Sequence, residues 1–172
     1  MTTQFRLPDD LKNTLAKDQW WLFNSGQGVA NNTVTPGTPG IDINVLPLWP
    51  QYTGKGIKVG VIDDGVDGQQ HKDLKDNFDQ QNSIDPVPGE KDAHGTNVAG
   101  VIAAQRNTSG TVGIAYEAKI SGYKNESKTV NENKTVIIAS LNKQVDLDVS
   151  NNSWGVDTPF TPLKDQVKLF CI

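Results

Sequence analysis

The run GIKVGVIDDG, residues 56–65, is continuously apolar, rich in β-branched residues, and ends on two carboxylates and a glycine. A strand that alternates apolar and polar residues keeps one face in water. A continuous apolar run is covered on both faces, which is the condition of a strand inside a parallel sheet. The downstream residues fit that frame. HGTNVAGVIAAQ (94–105) places Val98, Val101 and Ile102 at helical spacing among several alanines. AKISGYK (118–124) reads as a second strand, NENKTVIIASLNKQ (131–144) as a second helix and VDLDVSNNSWG (145–155) as a third strand running into a loop. PFTPLKDQVKLF (159–170) begins a third helix, with Pro162 near its first turn. This alternation predicts an α/β fold, a parallel sheet with helices on both faces in three layers. In such sheets the reactive groups collect at the carboxyl ends of the strands.

Upstream the chain is less regular. DDLKNTLA (9–16) predicts a short helix with Asp9 or Asp10 as its N-cap. VANNTVTPGTPG (29–40) is a loop by its two Pro-Gly pairs. INVLPLW (43–49) is apolar enough to pack on a core. The expected division is an N-terminal arm and loop over 1–40 and the sheet-bearing part over 41–172.

Composition excludes several classes. The chain has 172 residues, with 16 Lys and Arg against 20 Asp and Glu, for a net charge of −4. A chain of this size buries about 70% of its unfolded surface, enough for one core. No basic field attracts nucleic acid. Cys171 stands alone, so no intrachain disulfide forms. No apolar run approaches the length of a membrane-spanning helix. The N-terminus lacks the basic-then-apolar pattern of a secretory signal. TGKG (53–56) does not have the spacing of a phosphate loop. Two histidines, His71 and His94, and one cysteine do not make a zinc set.

Two places carry candidate chemistry. Asp63 and Asp64 fall where the first strand ends, and Gly65 allows a sharp turn after them. A carboxylate at a buried strand end is paired or functional, or else it shapes an Asx-type turn. His94 opens the first helix. There the positive end of the helix dipole favours the neutral ring, although a first-turn histidine is also an ordinary solvated residue. Taken together, an Asp at a strand end can accept from Nδ1–H of a His at the next helix start, leaving Nε2 as a general base.

VGVIDDG (59–65), HKDL (71–74), HGTNVAGVIAA (94–104), VGIAYEAKISGYK (112–124) and VSNNSWG (149–155) resemble the subtilases, serine endopeptidases of the subtilisin superfamily. They occur in the family's order and at near-family spacing. The double Asp, QWWLFN, DINVLPLW (42–49) and the SNSWG-like form look most like the kexin/furin-like branch. The resemblance implies that Asp63 is the catalytic Asp and His94 the general base. It implies that Asp64 faces a basic side chain of the substrate. Ser153, Trp154 and Gly155 match the strand that pairs with an extended polypeptide substrate and walls its pocket. It also implies a structural Ca²⁺ beside the HGT helix. Asn107 and Asp73 match its side-chain ligands, Gln105, Ser109 and Thr111 match positions giving backbone carbonyls, and Asn13 replaces the usual N-terminal acid. Hard oxygens of mixed charge are what Ca²⁺ takes.

The family's serine lies in a Gly-Thr-Ser-x-Ala motif at a later helix, and no serine of this chain has that context. The oxyanion asparagine also falls beyond the match. The expectation is therefore the N-terminal half of a subtilase catalytic domain, a truncated form of the fold that needs the other half of the same domain and is inactive alone. The alternatives are a non-catalytic peptide-binding module and a calcium-binding module built on the same fold. The resemblance suggests an extracellular or secreted protein.

Overall fold

The computed structural model describes residues 6–12, 14–28, 37–84, 94–125 and 130–154; in its second helix, side chains are described from Thr135 onward. Strand β1 (Lys58–Asp63), helix α1 (His94–Ala103), strand β2 (Lys119–Lys124), helix α2 (Val130–Lys143) and strand β3 (Val149–Asn152) follow one another along the chain. The three strands form one parallel sheet in the order β2-β1-β3. Lys58 to Asp63 pair with Lys119 to Lys124, and Val59 to Ile62 pair with Val149 to Asn152.

That order fixes the layers. The chain steps from β1 to β2 through α1, then returns past β1 to β3 through α2. Both crossovers are right-handed by rule, so the reversal of direction puts α1 and α2 on opposite faces. The side chains agree. Val59, Val61 and Ile120 pack with Ala99 and Ala103 of α1. Gly60, on the other face of β1, lies under Gln144 and Leu147, just after α2. A Cβ at Gly60 would overlap the Gln144 carboxamide, which explains the glycine inside a strand. The central strand is thus buried on both faces, as its continuous apolar run requires.

Two local expectations change. The arm over 9–16 is not one helix but two short 3-10 turns, Asp9–Leu11 and Leu15–Asp18. Thr14 divides them: its Oγ1 donates to the Leu11 carbonyl and accepts from Ala16 N. Asp9 and Asp10 lie inside the first turn rather than capping it. The third strand begins at Val149, not at 145, because Gln144–Asp146 forms a tight turn closed by Leu147 N donating to the Gln144 carbonyl at 3.0 Å. The expected helix over 159–170 lies outside the described residues.

The arm joins the body through a second apolar cluster, in which Leu7, Leu11, Ala16 and Leu22 meet Val45, Trp49 and Val112. INVLPLW therefore packs as expected. The Gln19 carboxamide adds a clasp, donating to the Val112 carbonyl at 2.9 Å and accepting from Val112 N at 2.8 Å.

Candidate active site

β1 ends at Asp63, at the carboxyl edge of the sheet, between the two strands whose crossovers run in opposite directions. This is the crevice where parallel α/β sheets place their sites. Asp63 is 3% exposed. Its Oδ1 lies 2.8 Å and its Oδ2 3.0 Å from Nδ1 of His94, the first residue of α1. Asp64 N donates to Asp63 Oδ1 at 2.8 Å, which fixes the carboxylate plane further. With Nδ1 donating to Asp63, the other ring nitrogen, Nε2, is the acceptor. The His94 side chain is 59% exposed, so the ring is held at one edge and open at the other.

The proton affinity of His94 departs from expectation. Its pKa is raised above the ordinary value, first by the hydrogen bond to Asp63 and then by the Asp63 charge, with burial opposing and the Asp64 charge adding least. A helix N-terminus by itself lowers a histidine pKa. Here the Asp63 carboxylate faces the ring, and Asp64 covers the positive end of the helix. Asp64 Oδ2 accepts from His94 N at 2.9 Å and Oδ1 from Gly95 N at 2.8 Å. Burial pushes the Asp64 carboxyl up, but these bonds outweigh it and leave the pKa below the usual range.

Two neighbours complete the frame. Thr96 Oγ1 accepts from Asp67 N at 2.9 Å, tying the loop after β1 to α1. Gly95 faces the turn directly, where a Cβ would overlap the Gly65 carbonyl oxygen and lie 2.7 Å from Asp63 Cβ. Gly95→Ala is therefore expected to destabilise by about 1–3 kcal/mol. An unobstructed helical position gains about 1 kcal/mol from the same change. A denaturant midpoint that rises or stays fixed contradicts this packing.

A groove of about 380 Å³ opens beside the ring, lined by His94, Asn97, Val98, Val101, Ile102, Asn151 and Ser153. Ser153 follows β3 and accepts from Asn151 Nδ2 at 2.9 Å. Trp154 follows with its indole N–H buried and unpaired. Gly155 lies outside the described residues.

The second set of predicted residues meets in part. Asp73 is 3% exposed, and its carbonyl accepts from Gln105 N at 2.7 Å. Its Oδ2 accepts from Thr111 N at 3.1 Å, while Oδ1 is buried without a partner. Gly110, at φ +74°, brings its backbone against this carboxylate, where a Cβ would overlap it. Asp73, Gly110 and Thr111 line a cavity of about 400 Å³. Asn107 Oδ1 accepts from Ser109 N at 2.9 Å. Asn13 lies outside the described residues. Among the described residues no three His, Cys, Asp or Glu side chains form a metal cluster.

The Asp64 clasp and the Thr96 tie were missed from the sequence as geometry, although both residues stand inside quoted motifs. Their partners lie about thirty residues away, beyond any local capping pattern.

The site thus sets a buried Asp at the sheet's carboxyl edge against an exposed His at a helix start. The chain belongs to the subtilase family, whose model matches residues 54–169. It is 44% identical over 119 residues to PC3-like endoprotease variant B of Hydra vulgaris, covering 62% of this chain and 16% of that protein. It is 40% identical over 126 residues to neuroendocrine convertase 2 of Rattus norvegicus, covering 66% of this chain and 18% of that protein. These relatives agree with the kexin-like branch. The chain thus spans less than a fifth of the curated relatives it matches. The serine protease of Aeromonas sobria superposes with a TM-score of 0.72 at 33% identity, over 92% of this chain and 28% of that one. No helix among the described residues is long and apolar enough to cross a membrane.

Proposed function

We propose that this chain supplies the Asp and His of a kexin-like serine endopeptidase centre and one wall of its substrate cleft. The observation that carries the reading is the 2.8 Å contact between buried Asp63 Oδ1 and His94 Nδ1, with the ring open to the groove. Asp63 holds the ring in one tautomer and stabilises the imidazolium. His94 Nε2 takes the proton from a serine hydroxyl as that oxygen attacks the scissile carbonyl, then returns it to the leaving amine. Asp63 stays ionised throughout. An extended peptide lies along Ser153, Trp154 and Gly155, where main-chain pairing gives affinity and side-chain pockets give choice. Asp64 offers negative charge to a basic side chain of that peptide.

The nucleophile and the oxyanion donor are not among these residues, so the 172-residue chain is inactive alone. Joined to a segment bearing a Gly-Thr-Ser-x-Ala motif, such as that half of a related catalytic domain, it cleaves peptides. Hydrolysis by the joined chain and none by this chain is the expected pair of results. A joined, folded chain without hydrolysis contradicts the reading.

Calcium is part of the same proposal. Asp73 and Asn107 side chains, with the carbonyls of Gln105, Ser109 and Thr111 and the side chain of Asn13, would hold it. The unpaired buried Asp73 Oδ1 supports the fit, since such an oxygen is costly without a partner. The ion would supply charge neutralisation and hold the loop after α1 against HKDL. An extracellular or secretory compartment, where Ca²⁺ is abundant, goes with this assignment.

A further inference from the structure

We propose that Asp64 is a positioning residue for His94, gripping the start of α1 so that the ring stays on Asp63. A helix leaves its first amides without intrahelical partners. They are ordinarily met by a Ser, Thr, Asp or Asn immediately before the helix. Here the preceding residue is Ala93, which has no side-chain acceptor. Asp64 takes over from thirty residues upstream. Its two carboxylate oxygens each accept one amide, His94 N at 2.9 Å and Gly95 N at 2.8 Å. Hydrogen bonds to an ionised acceptor are roughly twice as strong as neutral ones, and a carboxylate is favoured at a helix N-terminus.

The consequence lies in adjacency. Asp63 holds the ring of His94 and Asp64 holds its backbone, and the two carboxylates are successive residues on the end of one strand. Asp64 N also donates to Asp63 Oδ1, which ties the position of one carboxylate to the backbone of the other. Gly95 permits the approach by having no Cβ to meet Gly65 and Asp63. A histidine gripped at both backbone and ring has little freedom to leave the site. This role is separate from facing a substrate side chain, and it acts before any substrate arrives. It bears on hydrolysis only if the endopeptidase reading holds, but the grip itself is measurable without hydrolysis.

The test uses the 172-residue chain as Asp64→Asn and Asp64→Ala, read by amide hydrogen exchange and by NMR titration of His94. Asp64→Asn keeps the shape and one oxygen, so it guards against a variant that fails to fold. In Asp64→Ala, exchange at the His94 and Gly95 amides is expected to speed up by about tenfold or more. In both variants the His94 midpoint is expected to fall. Amides of β1 should keep their protection, which separates loss of the grip from loss of the fold. Unchanged exchange at His94 and Gly95 in Asp64→Ala overturns the proposal. Faster exchange with an unmoved His94 titration in both variants reduces Asp64 to a structural cap and overturns it too. Neither outcome depends on whether the joined chain cleaves peptides.

Discussion

In a chain that also carries the nucleophilic serine, His94→Ala is expected to lower kcat by on the order of 10⁶, and Asp63→Ala by on the order of 10⁴. These magnitudes are the ones subtilisin itself shows. The asymmetry follows from the geometry. His94 Nε2 is the group that moves the proton, and nothing else in the groove can replace it among the described residues. Asp63 touches the ring only at Nδ1, so its loss frees the ring and removes charge but leaves the base in place. The double variant should be no worse than His94→Ala, because the two residues act as one unit. Steady-state hydrolysis of a peptide substrate measures all three. A His94→Ala enzyme retaining more than about 1% of kcat contradicts the assignment of His94 as the base.

The second large effect is on stability. Removing Ca²⁺ with a chelator is expected to lower the melting temperature. An ion present at about a hundred times its Kd contributes about 2.7 kcal/mol. In a chain of this length that is roughly 5–11 °C. Asp73→Ala should melt at the same temperature with and without Ca²⁺, since it removes a carboxylate whose Oδ1 is buried with no protein partner. Wild-type melting that ignores the chelator contradicts the calcium assignment. It leaves the Asp63–His94 pair untouched, because the two sites share no side chain.

Much of the fold was legible because burial on both faces writes itself as an uninterrupted apolar run. GIKVGVID and AKISGYK became β1 and β2 within a residue or two. HGTNVAGVIAA became α1, beginning at His94 itself. The sequence predicts a strand from 145, because Val145 and Leu147 are as apolar as strand residues. The Gln144–Asp146 turn, closed by Leu147 N on the Gln144 carbonyl, ends the run there, with the Gln144 side chain buried against Gly60. The pattern over 9–16 predicts one helix because it does not register how Thr14 bonds Leu11 and Ala16.

The Asp63–His94 pair was legible from two motifs and their order. The clasp from Asp64 to the α1 amides was not, since it joins residues thirty apart by backbone donors that no side-chain motif reveals. The same gap reversed the expected shift on His94. A helix N-terminus considered alone lowers a histidine pKa. Two carboxylates brought to that terminus by the fold raise it.

That shift also sets a pH window. His94 has a folded pKa above its ordinary value, so its pairing with Asp63 contributes stability below about pH 6.5 and loses it as pH rises through the folded value. Asp64 has a folded pKa below its ordinary value, so its contribution is present above about pH 4 and fades as pH falls through the folded value. As a base, His94 must be neutral, so the rate of the joined enzyme climbs as pH rises through the His94 pKa.

The most direct measurement is the NMR titration of His94 in the 172-residue chain, beside Asp63→Asn. The pair predicts a midpoint above about 6.5 in the wild type. It predicts a lower midpoint in Asp63→Asn, where the carboxylate becomes an amide. A His94 that titrates at its ordinary value, and does so equally in both proteins, contradicts the Asp63–His94 centre on which the functional reading stands.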